Sequence, residues 1–171
     1  MELIKPCKKY EEQYIEYIKE VDKNGETNKL GEVLQKDNER FDDMLIRVEQ
    51  LSNEKNLIGM MKPTTCFWML ENETIVGSLN LRHELNEFTY YTIGNIGYYV
   101  RPSKRNSGYA KKALSLAKDF YRSLGVEKIL VICSNDNVAS EKVIIANGGI
   151  LELEMLAYDQ KRILRRYWID L

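Results

Sequence analysis

Histidine is almost missing from this chain of 171 residues: His83 is the only one. That excludes metal centres built from several histidines and leaves one candidate for any histidine-based triad. Cysteine is nearly as scarce. Cys7, Cys66 and Cys133 are odd in number, far apart and form no CxxC pair. A disulfide framework or zinc site is therefore not expected, no metal is expected, and a reducing cytoplasm is the simplest compartment. No apolar run approaches the length of a membrane span, and no secretory pattern opens the chain, so no membrane partner is expected. No internal repeat, low-complexity segment or linker divides the sequence, and its length suits one domain over 1–171 with a full core.

One absence is local. From Phe88 to Lys118 there is no aspartate or glutamate, while Arg101, Lys104, Arg105, Lys111, Lys112 and Lys118 fall in that window. Residues 11–60 show the reverse, with 13 acidic against 7 basic side chains. The net charge of −1 argues against a general nucleic-acid binder. The basic window reads either as a solvated face or as the site of a compact anionic ligand.

What is present is an ordinary globular composition, 44% hydrophobic and 30% charged. "ELIKPC" reads as a short strand. Tyr10, Tyr14, Tyr17, Ile18 and Val21 follow helical spacing up to Gly25. A second helix is predicted from about Asn38 to Asn53, capped by Asn38 or Asp37. "TTCFWML" and "TIVGSLNLRHEL" flank the turn "ENE" as a hairpin, and "YTIGNIGYYV" is a further strand. A helix is predicted from Gly108 to Leu124, closed by Gly125. "KILVIC" reads as a buried strand, Val138 to Asn147 as a helix, and "ILELEMLA" with "ILRRYWIDL" as a closing hairpin. The order predicts an α+β domain with a mixed sheet, in which Tyr91 to Cys133 forms a parallel crossover.

The stretch "RPSKRNSGYA" joins strand to helix. A helix start leaves N–H groups unpaired and favours negative charge, and a glycine lets a ligand come close to backbone. Arg105, Asn106, Ser107, Gly108, Tyr109 and Ala110 supply a basic, small-residue turn that suits a diphosphate. Neither GxxxxGK[ST] nor GxGxxG is present, so a P-loop or a dinucleotide-binding crossover is not expected.

The segment "IGYYVRPSKRNSGYAKKAL" resembles the acyl-CoA-binding signature of the GNAT superfamily of N-acetyltransferases, with Arg105, Gly108 and Ala110 at the signature positions. "KILVICSNDNVASEKVIIANGG" is similar to the family's next strand and helix through Asn137, Ser140 and Gly148. The resemblance implies a mostly antiparallel central sheet with a parallel strand pair splayed at the cofactor site, flanked by about four helices. It implies that the amides of Arg105 to Ala110 hold the pyrophosphate of coenzyme A, that Tyr98, Tyr99 and Val100 run beside its pantetheine arm, and that Asn137 and Ser140 face the arm or the thiol. Asn137 also reads as a plain helix cap, and one of Tyr98 and Tyr99 as core.

The activity implied is an acetyl-CoA-dependent N-acetyltransferase acting on a small-molecule or peptide amine. An N–H near Tyr99 or Val100 would steady the oxyanion. A tyrosine acid common in the family is replaced here by Ile144. His83 and Glu84 in "LRHELNE" are the candidate bases, and Tyr98 or Tyr109 the candidate proton donors. The acidic first two helices suit a cationic acceptor or a merely soluble surface. A non-catalytic acyl-CoA sensor is the alternative function, and both a monomer and a homodimer are compatible with the sequence.

Overall fold

A computed structural model describes residues 1–57 and 61–171. Strand β1 (Glu2–Ile4) precedes helices α1 (Glu11–Lys23) and α2 (Phe41–Gln50). Strands β2 (Thr64–Glu71) and β3 (Thr74–Arg82) are followed by the short α3 (Glu87–Thr92) and by β4 (Ile96–Val100). Then come α4 (Tyr109–Ser123), β5 (Lys128–Ser134), α5 (Val138–Ile145), β6 (Ile150–Leu156) and β7 (Ile163–Asp170). The fold is α+β, as the element order predicts.

The strands form two antiparallel sheets, one ordered β1-β2-β3-β4 and the other β5-β7-β6. The β2–β3 hairpin turns on Asn72 and Glu73, both with positive φ (48° and 61°). That two-residue geometry matches the twist of the strands it joins. Helices α1 and α2 cover one face of the first sheet, burying Tyr14, Tyr17, Val21, Phe41, Met44 and Val48 against Trp68, Ile75 and Tyr99. Helix α4 covers the other face. Its Ala113, Leu114, Ala117 and Tyr121 share one core with Leu79, Leu81 and Ile96 of the first sheet and Ile129, Val131, Tyr167 and Ile169 of the second. Removing these side chains from water is the main driving force that holds the two sheets on one helix.

Asn95, 5% exposed, pins the sheets together. Its N–H donates to Leu130 O at 2.7 Å, and its carboxamide accepts from Leu130 N at 2.8 Å. Its Nδ2 donates to Arg82 O at 3.2 Å, and its carbonyl accepts from Arg82 N and from the Tyr121 hydroxyl. Gly94 beside it is required by space: a Cβ there would lie 2.4 Å from Leu130 O.

Three expectations are corrected. The parallel pairing of β4 with β5 does not form as a ladder among the described residues. The two strands meet in a single bridge, Gly94 with Val131, and belong to different sheets. The strand expected over 91–100 begins only at Ile96, because Asn86 and Thr89 close a reciprocal capping box that starts α3. Its aromatic and β-branched sequence, "EFTYYT", has strand composition, so the local hydrogen bonds outweigh propensity, and the described residues hold five α-helices where about four were expected. Helix α2 starts later than predicted: Asn38 sits at φ 60°, and Arg40 is the N-cap without a side-chain bond.

Candidate functional site

Beyond Asn95, β4 and β5 separate, and the gap between them opens toward the turn 101–108. In an antiparallel pair, alternate residues turn both backbone groups to the partner strand. Arg82 N donates to Asn95 O and Arg101 N to Val76 O, so Gly97, Tyr99 and Arg101 are the residues turned toward β3, while Asn95 gives its C=O to β3 and its N–H to β5. Ile96, Tyr98 and Val100 therefore turn their N–H and C=O groups into the gap. Of the two amides proposed for an oxyanion, Tyr99 is spent on the sheet, whereas Val100 and its neighbour Tyr98 face the opening.

The turn itself winds one 3-10 turn over Pro102–Lys104 and then reaches Asn106 (φ 62°) and Gly108 (φ 77°), both left-handed. Gly108 is the N-cap of α4. Among the described residues, the amides of Asn106, Ser107, Gly108, Tyr109 and Ala110 have no acceptor in the chain, and the first helical bond is Lys112 N to Gly108 O at 3.1 Å. A Cβ on Gly108 would meet nothing within 4 Å, so the space above these amides is open. Arg105 is a partial exception to the expected set. Its amide donates to Pro102 O at 3.3 Å, which leaves the free run starting at Asn106.

The Arg105 guanidinium also turns away from those amides. It donates to Val100 O (3.3 Å), to the Tyr99 hydroxyl (3.0 Å) and to Glu26 (2.5 Å). Glu26 also takes hydrogen bonds from Lys29 and the Tyr99 hydroxyl, and Lys29, Arg105 and Tyr99 together hold its carboxyl down at about 2. Glu20 accepts from Ser103 N (2.6 Å), Ser103 Oγ (3.0 Å) and Arg101 Nε (2.5 Å). These two glutamates brace the turn from α1 and the loop after it. Sequence reasoning missed them, since they lie about 80 residues away and nothing in the local pattern points to them.

Past the turn, Gly108 and Lys111, Lys112, Ser115 and Lys118 of α4 line an open cleft of about 400 Å³ with Ala146 and Asn147. No carboxylate lines it. The lysine spacing on α4 could have signalled that face, but the α5 end that closes the cleft is a tertiary contact, made by Lys118 Nζ to Asn147 O at 3.2 Å.

Across the gap, the Tyr98 hydroxyl lies 2.6 Å from Ser140 Oγ. Burial pushes the Tyr98 phenol up to about 12, so it stays protonated near neutrality. Asn137 caps α5 by accepting from Ser140 N at 3.1 Å, which holds Ser140 on the first turn of that helix. Ile144 is fully buried in the α4 core, so no proton donor replaces the family's tyrosine there. Tyr99 points to the opposite face, against α1, and is core as well as a partner of Glu26.

The structure does not bring His83 or Glu84 to this gap. His83 Nε2 bonds Thr65 Oγ1 at 2.8 Å, its ring packs on Phe120, and burial lowers its pKa. Leu79 is the register partner of Tyr98, so His83 lies four residues farther along β3, about 13 Å away. Glu84 is exposed and paired with Lys62 at 2.7 Å. Most acids of the first two helices are held in ion pairs: Glu11 and Asp42 with Lys8, Glu20 with Arg101, Asp43 with Arg40, and Glu49 with Lys5.

The model of the acetyltransferase (GNAT) domain family matches residues 11–150. The chain belongs to the GNAT family. Solved structures agree with the GNAT fold at low identity. The microcin C7 self-immunity acetyltransferase MccE, in complex with acetyl-CoA and AMP, aligns with a TM-score of 0.69 at 16% identity, covering 99% of this chain and 91% of that one. RimL, the ribosomal L7/L12 alpha-N-protein acetyltransferase, gives 0.67 at 15%, covering 99% and 89%. An N-acetyltransferase from Staphylococcus aureus Mu50 gives 0.65 at 16%, covering 99% and 97%. No curated protein matches by sequence. No described helix is long and apolar enough to cross a membrane, and no group of three or more metal-ligating side chains is placed to hold an ion among the described residues.

Proposed function

We propose that residues 1–171 form one acetyl-CoA-dependent N-acetyltransferase that moves an acetyl group to the amine of a small molecule or peptide. The observation that carries this reading is the run of five unpaired amides, Asn106 to Ala110, beside an open strand edge on β4. Several convergent N–H groups at a helix start, with no carboxylate in the adjoining cleft, fit the diphosphate of coenzyme A. Lys111, Lys112 and Lys118 add positive charge where the rest of an adenosine phosphate would lie. The co-substrate supplies an acyl group already activated as a thioester.

The chain's own residues then have three tasks. The edges of Tyr98 and Val100 align the pantetheine arm by backbone pairing, with Asn137 and Ser140 at its far end. The Tyr98 or Val100 amide stabilises the oxyanion that forms as a neutral amine attacks the carbonyl carbon, an effect of about 3–4 kcal/mol for one such donor. The bond to sulfur breaks, Tyr98, hydrogen-bonded to Ser140, gives a proton to the departing thiolate, and the proton shed by the acylated nitrogen passes through water to restore the phenol. Asn106, Ser107, Gly108, Tyr109 and Ala110 bind; Arg105 positions the turn through Glu26 and Tyr99. No base is assigned, and the acceptor enters as the free amine. The three free cysteines fit a reducing cytoplasm.

Burial of Ile144 favours a second reading, an acyl-CoA-binding domain without catalysis. Thiol release from acetyl-CoA with a panel of amines decides between them. Turnover above the amine-free rate supports the transferase; binding of CoA without turnover supports the sensor; neither result removes both.

A further inference from the structure

The side of the first sheet facing away from α4 carries a cation without a counter-ion. Arg82 ends β3, with Leu81 before it buried against the α4 core and Asn80 on its own face. Its Nη1 donates to Gly94 O at 3.3 Å, its one side-chain hydrogen bond among the described residues. No carboxylate of the described residues lies within ion-pair distance of it. Glu32 is near enough to be felt, yet it sits 3.7 Å from Arg47 instead. Burial of the guanidinium lowers its pKa, the sign expected of a cation stripped of water and left without a partner. Carboxylates are abundant elsewhere on this face and have been paired off with other cations, so the vacancy at Arg82 is not for want of acids.

The surroundings place this charge beside the reacting region. Nη1 lies 4.0 Å from the Cβ position of Gly97, the β4 residue next to Tyr98. Gly97 has no side chain to cover the arginine. One residue step adds about 3.8 Å, so the guanidinium stands roughly 8 Å from the Tyr98 backbone. That span accommodates an oxyanion hydrogen-bonded to arginine, a few covalent bonds, and an amine in attacking position. It is too short for an acceptor whose anion is remote from its nitrogen.

The second sheet repeats the sign. Arg166 of β7 is opposite Ile132, on the face away from Val131 and Tyr167, and so on the same side as Arg82. It is 2% exposed under the ring of Tyr90, 4.3 Å away. Its Nε has no acceptor, and its Nη2 lies 3.0 Å from Glu152 without hydrogen-bond alignment. Arg166 is thus sealed from an acceptor and paired with Glu152, so an acceptor bearing only positive charge would meet the uncompensated Arg82 alone. The acidic composition of the first two helices thus misleads as a guide to the acceptor.

Resting on the transferase reading above, we infer that the acceptor is a small amine carrying a carboxylate or phosphate a few bonds from its nitrogen, and that Arg82 receives that anion. Matched pairs test this: phosphoethanolamine against ethanolamine, and phenylalanine against phenylalaninamide. Thiol release from acetyl-CoA is measured for each, with thermal shifts at saturating CoA so that the phosphate-binding turn is already filled. The anionic member of a pair should show kcat/KM or binding at least tenfold stronger. Arg82→Gln should reduce the preference to within twofold, whereas Arg82→Lys should keep most of it, with CoA affinity unchanged in both. Equal or inverted preference, no binding or turnover of any member, or an equal loss on both members in Arg82→Gln overturns the inference. If CoA still stabilises the protein in those cases, the transferase reading survives; if CoA has no effect on the wild type, both fall together.

Discussion

Replacing Gly108 with alanine separates what the turn does for the fold from what it does for the ligand. Gly108 has φ 77°, which an L-residue adopts at a cost of about 1–2 kcal/mol. Its Cβ position meets no protein atom within 4 Å, so no steric term adds to that cost in the free protein. For a domain of this size, 1 kcal/mol moves Tm by about 2–4 °C, so Gly108→Ala should melt roughly 2–8 °C lower and otherwise fold normally. The methyl group would stand in the open space over the five unpaired amides, where the phosphates are proposed to lie. Calorimetric titration with CoA, well below the new Tm, should therefore show affinity reduced by at least tenfold, which is about 1.4 kcal/mol. Asn106→Gly is the companion. It relieves a left-handed non-glycine residue, so it should leave CoA affinity within about threefold. A Gly108→Ala protein that binds CoA as tightly as the wild type, while showing the expected drop in Tm, would refute the assignment of these amides.

Tyr98→Phe should lower kcat by about 10–100-fold with little change in the KM for acetyl-CoA, since proton donation of this kind contributes about that much or more; a fall confined to KM would place the hydroxyl in binding instead. Asn95→Ala strands Leu130 N and Arg82 O in the interior, at about 1–3 kcal/mol each, so denaturant unfolding should show a loss of roughly 2–6 kcal/mol. Glu26 has a carboxyl held at about 2 against an ordinary 4.5, so its contribution to stability is complete above about pH 4.5 and is lost as pH falls toward 2. Melting curves of Glu26→Gln should accordingly differ from wild type at neutral pH and converge with it in that acid range. The acid limb of kcat/KM should move with the pKa of the acceptor amine across a series of substrates; a limb fixed below 6.5, where the lowered pKa of His83 would put it, would return that residue to the chemistry.

Much of the site was legible as pattern. The apolar stripe of α4, the left-handed Gly108 and the small residues around it specify a helix start that can come close to a ligand, and these are local properties of ten residues. The capping of α5 by Asn137 was equally local. What pattern could not deliver was partnership. Arg105 looks in the sequence like a phosphate ligand; in the fold its guanidinium is taken by Glu26 and Tyr99, and binding is proposed for the backbone amides instead. The window without acids looked unopposed, but Glu20 and Glu26 enter it from α1 and its following loop. His83 has the right chemistry for a base, yet the β3–β4 register carries it some 13 Å from Tyr98.

The sequence by itself determined the element types, the start of α4 and the small-residue turn before it, because these follow from side-chain periodicity and from glycine's freedom at positive φ. Tertiary structure alone decided that β4 and β5 part beyond Asn95, that the end of α3 and the turn after it take the first half of an expected strand, and which charges remain unpaired. The reason is that an ion pair or a strand register depends on distances between segments tens of residues apart, and no local propensity encodes those distances.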